Sequence, residues 1–477
     1  MMTARCLPIL LPLMLAAASL GMFPAGAADE AALAQHQPEP YVKLTHPEWA
    51  KKAVIYQINT RQFTPEGTFT AAAKQLPRLK AMGVDILWLM PVQEIGVRNR
   101  KGTLGSPYSI RDYYKVNPEF GTMEELKAFL AAAHKLGLHV ILDWVANHTA
   151  WDNALAADHP DWYERDWKGD FRPTPWWDWE DIIDLDYSKP EVRAYMADAM
   201  KFWVQEVGFD GFRCDVAGYV PLDFWEKVRA ELDAIKPVFM LAEWQSRDLM
   251  AKAFDATYSW EWFDSMKGVA QGRADVGALF GYYSNNESGW PEDGYRMTYT
   301  SNHDKNAWEG TDAELFGKGF ESAAVLAIVG EGMPMIYNGQ EAGLDKRLAF
   351  FERDPIDWPK KLPLEAFYTR LFKMKDENQA LWNGAAGARM VRVVNDRPSE
   401  VFSFMRQKGK AKVFAVFNMT DKPVNVGFRE PMFVGSYAET FASDRGPEVS
   451  TPARLSADTR FDLAPWGYMV FSEPAGE

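Results

Sequence analysis

The chain has 477 residues, of which 47% are hydrophobic, 25% charged and 14% aromatic. This balance excludes an intrinsically disordered chain, a collagen-like chain and a small disulfide-held scaffold, and the length predicts one large domain or several smaller ones. The formal net charge of −14 argues against a broad phosphate-binding surface, so we expect no nucleic-acid partner. Tryptophan is unusually frequent, and six tryptophans crowd into the segment from Trp151 to Trp179.

The N-terminus has the pattern of an export signal. Arg5 provides a positive start, residues 7–23 are largely apolar, and Ala25-Gly26-Ala27 fits a cleavage site. A membrane anchor is the alternative, but the apolar run is short and interrupted by prolines. We therefore predict a signal peptide over residues 1–27 and a linker over residues 28–48. The protein is then exported, periplasmic or extracellular, and not inserted in a membrane after cleavage.

Short apolar runs alternate with helical patterns over the next 320 or so residues, which predicts a parallel sheet with helices outside it. The predicted strands are Ala53–Asn59, Ile86–Met90, Val140–Trp144, Gly211–Asp215, Phe239–Glu243, Met297–Thr300 and Pro334–Tyr337. A further strand at Ala256–Tyr258 would complete a (β/α)₈ barrel. An open, doubly wound sheet is the alternative, although no glycine-rich phosphate loop follows the first strand.

Helix ends are predicted between these strands. Thr122 and Ser188 each precede a glutamate by three residues, which is the pattern of a capping box. Gly83, Gly137 and Gly208 follow helical patterns directly, so we expect each of them to end a helix in the left-handed conformation.

Two segments interrupt the alternation. Residues 149–187 form a Trp- and Asp-rich insertion after the third strand, and from residue 383 the apolar period changes to two, which is typical of antiparallel strands. The predicted fold class is α/β. A (β/α)₈ TIM barrel spans residues 49–382, with the inserted domain after strand 3, and a C-terminal antiparallel β-sandwich domain spans residues 383–477.

Acidic residues follow or end four predicted strands, at the barrel face where such folds hold their active sites. They are Asp143, Asp215, Glu243 and Asp304. Arg213 lies two residues before Asp215, so we expect both on one face of the strand, with the arginine holding Asp215 ionised. An ionised carboxylate beside a protonated one is the apparatus of glycoside hydrolysis. A lone acid is more often a helix cap, but its repetition at four strands favours a shared site.

Four segments, in chain order, resemble the motifs of the α-amylase family, glycoside hydrolase family 13. They are Asp143–His148 (DWVANH), Gly211–Asp215 (GFRCD), Ala242–Glu243 and Asn302–Asp304 (NHD), with further matches at Ser106–Tyr108, Ile183–Asp186 and Pro334–Glu341. The resemblance runs from about residue 53 to residue 477. It implies a barrel with a B domain, which corresponds to the insertion, and a C-terminal β domain.

The resemblance also implies roles. Asp215 would be the nucleophile, Glu243 the general acid and then base, and Asp304 the residue that binds sugar hydroxyls and stabilises the transition state. The implied outcome is retention of configuration, with the Asp215 and Glu243 carboxyls roughly 5–5.5 Å apart. The implied substrate-binding residues are Arg213, His148 and His303, which position the nucleophile and the sugar, Tyr108, which stacks on the sugar, and Asp143, which supports the site. Trp244, next to the acid, is a further candidate for a sugar contact.

Family members often bind a structural calcium ion between the barrel and the B domain. Asn147 and Asp184 match two of its ligand positions, and the carbonyl of Tyr219 falls near a third. These positions do not complete the roughly six to eight oxygen ligands of calcium, so a metal-free hydrogen-bond network is the alternative. No organic cofactor is expected.

One departure bears on specificity. Many endo-acting α-amylases carry a Lys-His pair three and four residues after the nucleophile, whereas this chain has Gly218-Tyr219. The departure favours short oligosaccharides, debranching or glucanotransfer. The tryptophans of the B domain either stack on glucose rings or form the core of the insertion, and the second role is favoured for any single one.

The leading hypothesis is an exported, retaining enzyme that cleaves α-1,4-glucosidic bonds of starch or maltooligosaccharides through a covalent glycosyl-enzyme. An α-glucosidase, a pullulan-cleaving enzyme and a glucanotransferase share this chemistry and stay open. A non-catalytic relative is disfavoured, because Asp215, Glu243 and Asp304 are all present.

Overall fold

The computed structural model describes residues 39–475, and the residues from Val42 onward belong to one compact unit. The predicted signal peptide and most of the predicted linker, residues 1–38, lie outside the described residues. Among the residues that are described, no helix combines the length and the apolar character needed to cross a membrane.

Within the described part of the chain, eight parallel strands close a barrel and neighbour one another in chain order. They are β1 (Ile55–Ile58), β2 (Ile86–Leu89), β3 (His139–Trp144), β4 (Gly211–Cys214), β5 (Phe239–Ala242), β6 (Ala256–Tyr258), β7 (Tyr295–Thr298) and β8 (Met333–Tyr337). Almost every residue of these strands is buried, because helices cover the outside and side chains fill the inside, which explains the unbroken apolar runs in the sequence. The closed barrel is the predicted fold, and the open sheet is excluded.

Helices surround the barrel. The α-helices span Thr60–Phe63, Phe69–Ala73, Leu76–Met82, Met123–Lys135, Ala154–Asp158, Pro190–Phe202, Leu222–Asp233, Trp260–Ala270, Gly277–Gly289, Asp312–Phe316, Phe320–Val329 and Glu365–Glu377, and single π turns span Trp203–Val207 and Lys305–Glu309. Thr122 forms the predicted capping box with Glu125. The predicted left-handed glycines are all observed, with φ of 71–107°.

The predicted capping box at Ser188 is wrong. Lys189 is the N-cap of that helix and makes no side-chain cap, and Pro190 occupies its first turn. The amide of Ser188 instead donates to the Asp186 carboxylate over 2.9 Å, which forms a turn ahead of the helix. The proline then sets the backbone angle with which the helix begins.

The insertion is closed at its base by an antiparallel pair, His148–Ala150 with Ile182–Asp184. The C-terminal domain is all antiparallel, as predicted. Its strands are β9 (Met390–Arg392), β10 (Val401–Lys408), β11 (Ala411–Asn418), β12 (Val424–Gly427), β13 (Gly435–Tyr437), β14 (Glu439–Ala442), β15 (Ala453–Leu455), β16 (Arg460–Leu463) and β17 (Tyr468–Glu473). Buried Arg406 on β10 fixes this domain to the barrel, because its guanidinium donates to the carbonyls of Val329, Gly330 and Trp382.

Candidate active site

Arg213 is the centre of the polar cluster at the carboxyl ends of the strands. It lies on β4 and is fully buried. Its Nη1 donates to Asp143 Oδ1 over 2.7 Å and to Asp215 Oδ1 over 3.0 Å. Its Nη2 lies 3.0 Å from Glu243 Oε1 as an ion pair. One cation therefore contacts carboxylates from three adjacent strands, β3, β4 and β5, which is the convergence expected from the sequence.

His303 connects the fourth acid to this cluster. Its Nε2 lies 3.2 Å from Asp304 Oδ2 and 2.7 Å from the hydroxyl of Tyr108. The Tyr108 hydroxyl also donates to Asp143 Oδ2 over 2.9 Å, and the Tyr108 ring stacks on His303 with centroids 5.5 Å apart. Gln57 Nε2 lies 2.6 Å from the other ring nitrogen of His303. The Asp304 carboxylate is the most open member of the set, with 38% of its side chain exposed, so it faces the mouth of the barrel.

His148 lies at the base of the insertion. Its Nδ1 is 3.1 Å from Asn147 Nδ2, and its ring centroid is 6.1 Å from that of Trp179. Burial lowers the pKa of His148 to about 4, so the ring is neutral at ordinary pH. A neutral imidazole can hydrogen-bond a sugar hydroxyl without adding a charge to the site.

The electrostatics of Asp215 differ from the sequence-based expectation that Arg213 holds it ionised. Burial and the negative charge of Glu243 outweigh the arginine and raise the pKa of Asp215 well above its ordinary range. The unliganded site therefore favours the protonated form of Asp215 more than an isolated acid would, and Arg213 opposes this. Glycoside cleavage needs one carboxylate as nucleophile and one carboxylic acid as proton donor, and Asp215 and Glu243 place two such groups on one guanidinium.

Asp143 supports the cluster from below. Its Oδ2 accepts from Tyr108 and, over 3.0 Å, from Trp88 Nε1 on β2. Burial raises the pKa of Asp143 to about 6, although Arg213 and these hydrogen bonds oppose the rise. The sequence analysis missed Trp88 and Gln57. The sequence feature that could have identified them is a side chain able to hydrogen-bond inside a barrel strand, where apolar residues are expected.

Val216, directly after Asp215, holds the acid in place. Its amide donates to Glu243 Oε2 over 2.8 Å. Its backbone is left-handed, with φ 35° and ψ 48°, which is costly for a β-branched residue. Local strain at a residue that bridges the candidate nucleophile and the candidate acid is typical of functional sites.

Aromatic rings flank the cluster on two sides. On one side Trp244, which follows Glu243, packs against Tyr219 with ring centroids 5.2 Å apart. On the other side Phe350 stacks on Tyr108 with centroids 6.3 Å apart, and Trp308, which is 56% exposed, packs on Phe350. Phe350 and Trp308 were not predicted, because their loops reach the site only through the tertiary fold.

The favoured interpretation, that the tryptophans of the insertion form its core, holds only in part, because Trp151 and Trp162 pack against the hydrophobic core but others do not. Trp167, Trp176 and Trp177 are exposed, the last two within one short segment, and Trp151, Trp162 and Trp179 are half-buried. Trp177 and Trp179 stack on each other with centroids 5.4 Å apart. The insertion is too small to enclose six indoles, so several remain at the surface.

Asn147 and Asp184, which match two calcium-ligand positions, are in hydrogen-bond contact with each other. Asn147 Nδ2 and Thr174 Oγ1 donate to Asp184 Oδ1 over 3.1 Å and 2.5 Å, and Arg172 Nη2 lies 3.9 Å from Asp184 Oδ2. Burial raises the pKa of Asp184 to about 6. One carboxylate with a guanidinium beside it does not fit a calcium ion, which takes about six to eight oxygen ligands. The third predicted ligand is the carbonyl of Tyr219, a residue whose hydroxyl accepts a hydrogen bond from an indole of the insertion. Across residues 39–475, no three His, Cys, Asp or Glu side chains are grouped to hold a metal.

A parallel barrel whose strand ends gather carboxylates around one arginine holds the groups that an enzyme needs to cleave glycosidic bonds. Two family models match the chain. The catalytic domain of α-amylases matches residues 49–379, and the C-terminal all-β domain of α-amylases matches residues 392–472. The chain belongs to the α-amylase family, glycoside hydrolase family 13, which confirms the resemblance seen in its motifs.

Individual relatives agree with this assignment. The chain is 30% identical to the α-amylase MalA of Haloarcula japonica over 401 residues, which cover 80% of this chain and 57% of that protein. It thus spans little more than half the length of that relative. Among solved structures, a maltogenic α-amylase, AmyB, from Thermotoga neapolitana is 29% identical with a TM-score of 0.79, and covers 90% of this chain and 100% of its own. An α-amylase from Lactobacillus plantarum is 28% identical with a TM-score of 0.78, and the match covers 89% of this chain and 99% of that α-amylase.

Proposed function

We propose that this protein is an exported, retaining glycoside hydrolase that cleaves α-1,4-glucosidic bonds of starch or maltooligosaccharides. The observation that carries the proposal is the contact of Asp215 and Glu243 with the same guanidinium, with Asp304 close by on His303. The α-amylase and maltogenic α-amylase relatives support an α-glucan as the substrate. The N-terminal sequence pattern supports export to the periplasm or the outside of the cell.

Each carboxylate has one task in the proposed mechanism. Asp215 attacks the anomeric carbon while Glu243 gives its proton to the glycosidic oxygen, so the bond to the leaving sugar breaks as the bond to Asp215 forms. Glu243 then takes a proton from water, which attacks the same carbon and releases Asp215. Two inversions give net retention. Arg213 stabilises the negative charge of Asp215, and the open carboxylate of Asp304 binds hydroxyls of the distorted sugar.

We also propose that direct contacts, rather than calcium, satisfy the Asp184 carboxylate where the insertion joins the barrel. Asp184 receives hydrogen bonds from Asn147 and Thr174 and has the positive charge of Arg172 beside it. These contacts give the carboxylate the partners and the countercharge that a cation would otherwise provide.

Product analysis tests the proposed reaction. Wild-type protein is incubated with maltoheptaose, starch and pullulan, and products are separated by length while proton NMR follows the first anomer released. We expect shorter maltooligosaccharides released as α anomers. Asp215→Asn should abolish this activity, whereas Asp458→Asn, an exposed exchange in the C-terminal domain, should not. A β anomer as first product would refute retention.

The same digest separates the alternatives. Glucose as the main product would indicate an α-glucosidase, and efficient cleavage of pullulan a pullulan-cleaving enzyme. Products longer than maltoheptaose would instead identify a glucanotransferase, in which a sugar hydroxyl replaces water in the second step. Export is tested separately, by mass spectrometry of the mature N-terminus, which is expected to begin after Ala27.

A further inference from the structure

The residues just ahead of β1 lie at the amino ends of the barrel strands, on the face opposite to the candidate active site. The amide of Lys43 donates to the carbonyl of Ala251 over 2.8 Å. The ring of Trp49 stacks on His139, the first residue of β3, with centroids 3.9 Å apart. We call residues 42–50 the basal segment, because they pack against this end of the barrel.

His46 joins the basal segment to two strands. Its Nδ1 lies 2.7 Å from Oδ1 of Asp255, which directly precedes β6, and its Nε2 lies 2.7 Å from the carbonyl oxygen of Asp293. The imidazole stacks on Tyr295, the first residue of β7, with ring centroids 4.3 Å apart. Only 7% of His46 is exposed, so water competes little for either ring nitrogen.

The chemistry of these partners fixes the protonation of the ring. A backbone carbonyl only accepts hydrogen bonds, so Nε2 of His46 carries a proton. Asp255 is fully buried, and its carboxylate also accepts from the Arg229 guanidinium over 2.8 Å and from the amide of Met240 over 2.7 Å. A carboxylate held by a buried arginine is ionised, so it accepts from Nδ1 as well. With a proton on both nitrogens, His46 is an imidazolium ion.

The surrounding charges favour this ion. Burial lowers the pKa of His46, but the hydrogen bond to Asp255 and the negative charges of Asp255 and Asp293 outweigh burial, so the pKa lies above its ordinary value. Burial opposes the ionisation of Asp255 too, yet the charge of Arg229 and the contact with His46 keep its pKa below the ordinary value. Tyr295, the remaining titratable neighbour, is neutral because burial raises its pKa.

We propose that the basal segment is a pH-dependent clasp, which doubly protonated His46 holds against the barrel and which opens as pH rises. When the ring loses one proton, one of its nitrogens presents a lone pair to an oxygen that can only accept, so that hydrogen bond is lost. Asp255 also loses one of its two buried countercharges. The clasp acts on β6 and β7 from the amino-terminal face, so it does not depend on the reaction proposed for the opposite face.

The direction of the pH dependence follows from proton binding. The closed clasp binds the His46 proton more tightly than the open one, in which the ring has the ordinary histidine pKa of about 6.5. Below that pH the clasp keeps its full stability. Above it, the equilibrium constant for opening rises by up to about tenfold per pH unit, until the raised pKa of the closed state is passed. The contribution of the ion pair to closure is then lost.

Hydrogen exchange at the Lys43 amide measures the opening, because this amide donates to Ala251 only while the segment is in place. The exchange rate in His46→Gln is divided by the rate in wild-type protein at each pH, so the intrinsic pH dependence of exchange cancels. We expect the variant to exchange about tenfold faster or more at pH 6, the loss typical of a hydrogen bond to a charged group. The ratio should fall as pH rises, and a ratio that stays constant would overturn the clasp.

Nitrogen NMR of histidine-labelled protein tests the protonation of His46 directly. We expect both of its ring nitrogens to carry protons at pH 7, where an ordinary histidine is mostly neutral. Asp293→Asn removes a half-exposed charge but keeps the carbonyl, so it should shift the titration of His46 to lower pH without loss of the fold. His159→Gln, an exposed histidine of the insertion, should change neither readout. A His46 ring with a single proton at pH 6 would refute the proposal.

Discussion

Replacing Arg213 by methionine removes the one cation that the carboxylates of the site share. The guanidinium is fully buried and contacts Asp143 at 2.7 Å and both Asp215 and Glu243 at 3.0 Å. Methionine fills similar volume, so the main change is electrostatic. Asp143 and Asp215 then lose the main interaction that opposes the effect of burial, and the pKa of Asp215 rises further above its ordinary range.

The size of the effect follows from these contacts. Breaking a buried ion pair by removal of one partner costs about 3–5 kcal/mol, because the other charge is left uncompensated. The nucleophile must be ionised in the transition state, so a similar free energy is added to the barrier, which corresponds to a roughly 10²- to 10⁴-fold lower kcat/KM. The acidic limb of the pH profile should also move to higher pH, because activity requires deprotonated Asp215.

The assay is kcat/KM for α-maltosyl fluoride from pH 4 to pH 9, with the thermal midpoint recorded at each pH. Arg213→Lys is the matched control, because it keeps the charge and loses only the two-pronged contact with Asp215 and Glu243. It should shift the acidic limb less than Arg213→Met does. An acidic limb that stays in place in Arg213→Met, with kcat/KM near the wild-type value, would refute this account of the site.

Three further results are expected. Glu243→Gln should lower kcat/KM for maltotetraose by about 10²- to 10⁴-fold. The initial burst of fluoride from α-maltosyl fluoride should fall far less, because fluoride departs without a proton. Equal losses on the two substrates would contradict the acid role of Glu243. The free energy of unfolding of the wild type relative to that of Asp184→Asn, measured in denaturant, should rise by up to about 3 kcal/mol as pH falls from about 7 to about 4. The reason is that the folded state, in which the Asp184 pKa is about 6, holds this proton more tightly than the unfolded chain does. A difference between the two proteins that does not change with pH would speak against this. EDTA should leave the thermal midpoint unchanged, and a drop that calcium reverses would exclude the metal-free network around Asp184.

The barrel strands were predictable because parallel strands buried on both faces are unbroken apolar runs. The error at β7 is instructive. The sequence predicted Met297–Thr300, but the strand is Tyr295–Thr298. Arg296 is charged and therefore resembles a strand boundary, yet it is buried, with its guanidinium 3.4 Å from the ring centroid of Trp290. A cation–π contact of this kind depends on a residue from another element, and periodicity does not encode it.

The sequence predicted the site residues that end barrel strands, but not those that reach the site from distant loops. Asp143, Asp215 and Glu243 meet because neighbouring parallel strands end at one face, so chain position alone implies their convergence. Phe350 comes from the long segment after β8, and its stacking on Tyr108 depends on how that loop folds. The ionisation of Asp215 was misjudged for a related reason, because local sequence shows the arginine but neither the burial nor the charge of Glu243.

Gly218 and Trp244 show why a departure from a family pattern cannot be interpreted one residue at a time. From sequence alone, Gly218-Tyr219 is a departure that favours short oligosaccharides, debranching or glucanotransfer, but the structure also fills the space at Gly218 with the indole of Trp244. Restoring a lysine by Gly218→Lys alone should therefore harm maltotetraose cleavage, because the new side chain collides with the indole. The double variant Gly218→Lys, Trp244→Ala should lose less kcat/KM for maltotetraose than the two single losses combined, because it removes the collision. A double-mutant cycle on kcat/KM for maltotetraose measures this coupling, and strictly additive losses would show that the two positions act independently.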